Sequence, residues 1–443
     1  VKKSVFIGIV LTIALLLGAP YLSGKIAETQ TLKWVDAINR ESKLYGDLDV
    51  LSYHREFASS RAKYAYTPPL LLAKILQSND AIEYSCDSQH GVWGVDFACQ
   101  LERAGAYTEF VEQQLAGVDP LSMHGSLSAF GKITQTLEFD AIANLDVDGQ
   151  SVSTPRAIMT IETNQSMSAL AFDGQVDAFE VENENRRFSL GEISFTGDVE
   201  AIADVFIVGN FAMSLDTFSL KNAGNEVVLV DLSVYSKSLE NGDNIDSYSI
   251  VKIASLETSD AAVADVEDFS LTTELNGLDT AALIEYQALS MQLQREWLAT
   301  LESSNVANSD QNTLLQMLPI IESMLKPGLE IKIAAQAKLD GTDNSVALSS
   351  RLLEPLTLAQ MPLFLADPES ALQKLDSHID ASLSKSFVDL QPIVAGIIAH
   401  SPLIEVSADH YQLTLTIGNE IELNGQVISL EVLQSLVLGN ASM

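Results

Sequence analysis

The side chains in this 443-residue chain that could do chemistry are few and dispersed. Six histidines, His54, His90, His124, His378, His400 and His410, stand apart, with no HExxH and no close pair. A proton-shuttling imidazole needs a carboxylate or a nucleophile beside it, so each is read as a surface or structural residue. Ser60-x-x-Lys63 and Ser382-x-x-Lys385 match the SxxK tetrad of penicillin-recognising acyl enzymes, but its SDN and KTG companions are missing. Asn144-Leu145-Asp146-Val147-Asp148-Gly149 imitates the opening of an EF-hand loop. The position that requires a bidentate glutamate falls on Pro155, so a hairpin turn is expected there, and likewise at Asp340–Asn344. GxSxG, Walker, GxGxxG and CxxC patterns do not occur, which leaves serine-hydrolase, nucleotide-enzyme and thioredoxin-like readings without support. The many carboxylates are read as the solvated face of long strands, since a glycosidase pair needs a defined separation across a cleft that spacing does not give. No catalytic residue, cofactor or metal site is assigned.

The two cysteines are different. Cys86 and Cys99 lie in IEYSCDSQHGVWGVDFACQLE, with strand-like flanks and turn signals at Gly91 and Gly94, so they could face each other across a hairpin. In an exported chain an even count is read as a disulfide, whose closure contributes roughly 3 kcal/mol in the chain-entropy model. Two buried thiols are the alternative. A zinc site lacks paired histidines at ligand spacing.

Composition bounds the partners. Sixty acidic against 25 basic side chains give a net charge of −35, which excludes a nucleic-acid binder and disfavours electrostatic adhesion to anionic headgroups. The run Ser4–Gly24 is uncharged and follows Lys2 and Lys3, so it is expected to span the inner membrane once with its N-terminus in the cytoplasm. A cleaved signal peptide is the competing reading, weakened by Leu17 and Leu22 at positions where small residues are wanted. Residues 25–47 carry Ile26, Leu32, Val35, Ile38 and Leu44 at helical spacing, which predicts an amphipathic helix ending near Gly46, with Trp34 as a docking contact.

From 48 to 278 the period changes to two, as in Leu51, Tyr53, Arg55 and Phe57, with Gly/Asn/Asp turns between runs. This predicts consecutive antiparallel hairpins, some with strands of a dozen residues or more, forming a long curved meander. A helical pair is expected over 279–327. Leu283, Tyr286, Leu293, Trp297 and Leu301 form one stripe behind an Asp279 cap, and Leu314, Leu318, Ile321 and Leu325 form a second behind Asp310. These stripes are expected to cover the open face of the sheet. Residues 328–443 return to strands and short helices within the same body. The expected class is therefore α+β: a transmembrane helix, then a long antiparallel sheet covered by amphipathic helices.

The order of these pieces resembles the YdgA-like bacterial family, a family of unknown function. The matching residues are Ser23-Gly24-Lys25-Ile26-Ala27-Glu28, Tyr53-His54-Arg55 running to Ser59-Ser60, and His90-Gly91. Further matches are Phe269-Ser270-Leu271-Thr272 through Asn276-Gly277-Leu278-Asp279, and the C-terminal Ile421-Glu422-Leu423-Asn424-Gly425-Gln426. Val92 departs from the proline expected after His-Gly. The resemblance implies an inner-membrane-anchored protein facing the periplasm of a Gram-negative bacterium, and it brings no activity or catalytic residue.

Together these features point to a non-enzymatic envelope protein. A long sheet with an apolar concave face could hold the acyl chains of a lipid or support envelope assembly. A scaffold that binds another membrane or periplasmic protein by a sheet edge is the alternative, and a hydrolase is third.

Overall fold

Alternation of apolar and polar side chains between Gly, Asn and Asp turns folds as antiparallel strands through most of the chain. The computed structural model describes residues 19–33, 35–36, 39, 46–68, 80–102, 105–147, 150–183, 186–202, 205–222, 225–259, 265–303, 309–357, 372–389, 404–407 and 409–433. Two units divide it, one built on residues up to Phe179 with Ser194–Phe206 and Met291–Ala307, the other on the remainder.

In unit one a helix over residues 19–33 precedes strands β1 (Asp47–Arg55), β2 (Ser59–Thr67), β3 (Ile82–His90), β4 (Gly94–Leu101), β5 (Leu121–Ser128) and β6 (Ile133–Phe139). These pair antiparallel in sequence order. The hairpin β7 (Ile142–Val147) and β8 (Gln150–Thr154) stands as a separate ribbon closed by the pair Val147 and Gln150; of the EF-hand-like residues Asn144–Val147 lie in β7, and Asp148 and Gly149 lie outside the described residues. Beyond it β9 (Ala157–Thr163) pairs with β6 and with β10 (Ala169–Val176). A helix at Gly105–Gln114 interrupts a region read as strands throughout. Its buried Thr108 and Val111 sit three residues apart on one face, a helical spacing that the dominant period of two concealed.

The rest of the strands are β11 (Phe179–Asn183), β12 (Arg186–Leu190), β13 (Ile193–Ile202), β14 (Val205–Asn222), β15 (Asn225–Asn241), β16 (Asn244–Thr258), β17 (Val266–Asp279), β18 (Glu330–Leu339), β19 (Thr342–Leu352), β20 (Leu375–Ser384), β21 (Glu405–Val406), β22 (His410–Ile417), β23 (Ile421–Leu423) and β24 (Gln426–Ile428). In unit two, β12 pairs with β14, and β14 to β20 pair in succession. Strand β20 pairs with β22, which also pairs with β21 and β23, and β23 pairs with β24. The strands β14 to β17 run 18, 17, 15 and 14 residues, so the long antiparallel meander is present. Two-residue turns hold its register. Asp340-Gly341 and Asn424-Gly425 both take positive φ (49° and 75° in each case), the conformation a tight hairpin with the right twist demands.

Three expectations are corrected. Strands dominate the described residues, so the protein is a large antiparallel β structure rather than a balanced α+β one. Among the described residues no helix is long and apolar enough to cross a membrane, which overturns the single-pass inner-membrane reading. Residues 4–18 of the expected span lie outside the described residues. Its last residues, 19–24, begin a helix docked on the sheet: Ser23 is buried and donates its hydroxyl to the Gly91 carbonyl at 3.0 Å. Trp34 also lies outside the described residues.

The third correction concerns the helical cover. Helices form at Thr280–Ser303 and Ser309–Met324, the first capped by Asp279, whose carboxylate accepts the Ala282 N–H at 2.9 Å. Among their described side chains the buried ones are Ala282 and Ile320, near the ends that adjoin β17 and β18. Leu283, Tyr286, Leu293, Leu318, Ile321 and Leu325 are only half-buried, and the side chains of Trp297, Leu301 and Leu314 lie outside the described set. A stripe that covered a sheet would be buried along its length, so the helices do not form the expected lid. The helix expected from Asp367-Pro368 lies outside the described residues, and that around 386–399 is described only for Lys385–Asp389.

Candidate functional site

Because pairing is continuous from β14 to β22, a side chain in one strand has a defined neighbour in the next, and rows of side chains run across the sheet. One row reads Met213, Val234, Val251, Leu271, Ala335, Val346, Ala381 and Leu413, all apolar. One residue along each strand, on the opposite face, lies a row of Ser214, Ser233, Lys252, Ser270, Gln336, Ser345, Ser382 and Gln412, all polar. The sheet of unit two therefore has an apolar and a polar face at its centre. Seven strand spacings of ~4.8 Å make the apolar row about 34 Å long.

An apolar row of this kind normally lies in a core, but none of its members is buried. Val346 is 39% exposed, and beside it on the same face Ile333 and Ile331 are each 37% exposed. The buried apolar residues of unit two lie mostly elsewhere, at strand ends and in the helices: Ile245, Ala282, Ile320, Leu329, Leu352 and Leu423. Burial of all 14 residues of β17 stays partial or absent, on both faces. The surface offers apolar contact across many strands with small side chains, Ala335 and Ala381, near its centre.

The polar face carries the hydrogen-bonding histidine that spacing did not reveal. His378 Nε2 lies 2.7 Å from Asp380 Oδ2, and its Nδ1 lies 3.2 Å from Thr416 Oγ1. The period of two places His378 and Asp380 on one face, a signal present in DSHIDASLS. Both are exposed, and Thr414 donates a second hydrogen bond to Asp380 at 2.8 Å.

Unit one assembles a second group of residues under the 19–33 helix. His90 ends β3, where the turn to β4 begins, and its Nε2 is 3.0 Å from the hydroxyl of Ser60 on β2, which is 3.1 Å from the Tyr53 hydroxyl on β1. Ser60 of the SxxK tetrad thus meets a histidine at nucleophile-to-base distance. Both are 5% exposed, however, beneath the helix. A Cβ on Gly24 would lie 2.3 Å from the His90 ring, so the helix backbone rests on the imidazole. Arg55 of β1 clamps the same helix, paired with Glu28 at 3.2 Å and stacked over the Tyr21 ring at 4.8 Å. Burial, aided by Arg55, holds the His90 imidazole below its ordinary pKa. This constellation ties helix to sheet. Lys63, the tetrad's other member, is paired with Glu102 at 3.1 Å.

Cys86 and Cys99 are directly opposed on β3 and β4 and form the disulfide, with Cα atoms 4.0 Å apart. They face the helix and floor a cavity of about 150 Å³ between it and β1–β6. Burial pushes the phenol of Tyr64, at the cavity wall, up to about 12, although a hydrogen bond with Thr31 of the helix acts the other way. Of the remaining histidines, His54 and His124 lie on β1 and β5, and His410 meets the Asp343 carbonyl at 2.8 Å. His400 lies outside the described residues. Among the described residues no three His, Cys, Asp or Glu side chains converge as a metal site.

The fold and these sites define a large antiparallel β protein with a two-faced sheet in unit two. The chain belongs to the family described as "Bacterial protein of unknown function (DUF945)", whose model matches residues 1–431. No curated protein and no solved structure matches it.

Proposed function

We propose that this chain is a non-catalytic binding protein that takes the acyl chains of a lipid along the apolar face of β14–β22. The observation that carries the reading is the eight-residue apolar row, continuous in register and buried at none of its positions. Extended apolar surface left in contact with water costs free energy, roughly 25 cal/mol per Å², and large patches of this kind mark binding surfaces. An acyl chain suits the row better than a compact ligand does, because the row is long, narrow and free of charge. The net charge of −35 disfavours attraction of anionic headgroups, so the grip is on the tails. Support of envelope assembly is the second role that such an apolar face would serve in this reading.

The test is organic extraction and mass spectrometry of the full chain purified without detergent, beside a Val251→Asp/Leu271→Asp variant. Lipid is expected with the wild type and at least tenfold less with the variant at equal folded content. A wild-type protein free of lipid, or an unchanged yield from the variant, refutes the proposal. Crosslinking of one dominant polypeptide at Val346 in place of lipid would favour the scaffold reading.

A further inference from the structure

We infer that the cavity beneath the 19–33 helix is a second binding site, for a small uncharged molecule with an apolar body and one hydrogen-bond donor. Its floor is the Cys86–Cys99 disulfide with Phe97, its wall is Val95 and Leu127, and its roof is Ala27 and Gln30 of the helix. Ala27, Val95 and Leu127 are buried together as one cluster, with Ile133 packed against it. Among the described residues lining the cavity none is Asp, Glu, Lys, Arg or His, so an ion entering it would lose its hydration without a counter-charge from them. That disfavours fatty-acid carboxylates and amines as occupants.

The donor requirement comes from Gln30. This residue is 4% exposed, lines the cavity, and has its carboxamide oxygen buried without a hydrogen-bond partner. A helix that needed only to cover an apolar cavity would carry leucine there, since a buried unmet acceptor costs about 1–3 kcal/mol. Neighbouring polar tips are engaged: Tyr53 with Ser60, Tyr64 with Thr31, and Gln135 with Met123. The amide oxygen is thus the group placed to receive a ligand's hydroxyl. About 150 Å³ matches the size of an apolar cavity that holds benzene, so the body of the ligand is of ring or short-alkyl size. The site is in unit one and independent of the apolar row of unit two.

Binding of phenol, benzene and benzoate to the full chain, followed by ligand-observed NMR, tests the inference. Phenol is expected to bind about 3- to 10-fold more tightly than benzene, as one net hydrogen bond allows, and benzoate not to bind. Gln30→Leu should equalise phenol and benzene, Ala27→Phe should abolish both, and Val251→Asp/Leu271→Asp should change neither. No binding of phenol at millimolar concentration, benzoate binding as well as phenol, or a phenol preference that survives Gln30→Leu overturns the inference. Should the unit-one variants not fold, the ranking of the three probes on the wild type decides it.

Discussion

Imidazole burial couples the folding of unit one to pH. His90 titrates below its ordinary value of 6.5 in the folded chain because burial and then Arg55 disfavour its charged form. An unfolded chain therefore binds the proton more readily. The neutral-form stability is complete above pH 6.5 and is lost as pH falls from there toward the folded value. Urea midpoints of wild type and His90→Gln between about pH 7.5 and pH 5 should show the steeper fall in the wild type. Parallel curves would mean that His90 is not the titrating group. Gly24 supplies a second prediction at this scale. A methyl there would meet the His90 ring at 2.3 Å, so Gly24→Ala should cost about 1–3 kcal/mol in denaturant unfolding unless the imidazole moves aside. His90-Gly91 and Ser23-Gly24 were both visible in the sequence as family-like pairs. That one packs on the other was not, because 66 residues separate Gly24 from His90 and no local pattern encodes their meeting.

Elements set the next terms. The hairpin β3–β4 is stapled by Cys86–Cys99 across 13 residues, and opening it by reduction or by Cys86→Ser/Cys99→Ser should lower unfolding free energy by roughly 3 kcal/mol. Denaturant curves with and without reductant measure this; an unchanged midpoint would show that the staple contributes nothing. At the Thr280 helix, Asp279 accepts the Ala282 N–H and pairs with Lys326, and these contacts hold its carboxyl below 3.8, the Lys326 contact being the larger cause. Its contribution is complete above that value and disappears as acid protonates it. Asp279→Ala should cost about 1 kcal/mol at neutral pH and less in strong acid. Strand periodicity and the Asp279 cap were legible because both are local. The helical lid was misread because an apolar stripe reports only that one side seeks burial. Among the described side chains of those helices, only Ala282 and Ile320 are buried.

At the scale of the molecule, 60 acids against 25 bases repel one another in a fold whose sheets bury little. Added salt screens this repulsion, so the thermal midpoint should rise as sodium chloride increases from about 0.02 to 0.5 M, over which the Debye length shortens several-fold. A midpoint that falls would mean that the ion pairs, such as Arg55–Glu28, outweigh the repulsion. The apolar row makes a further prediction. A hydrophobic dye such as ANS should bind the native, lipid-stripped chain, and Val251→Asp/Leu271→Asp should remove most of that signal. Retention of full dye fluorescence by this variant would place the exposed surface elsewhere.

Taken alone, the amino-acid sequence determined the strand period, the turns between the runs and two cysteines able to face each other across a hairpin, since each follows from side-chain period or backbone conformation. Tertiary structure decided which strand residues align. Met213 through Leu413 form one row only because seven registers agree, and register depends on pairing between segments that are distant in the chain. It also decided what lies over each face. The 19–33 helix settles on β1–β6 because Gly24 admits the His90 ring and Arg55 reaches Glu28, contacts that a period of 3.6 does not specify.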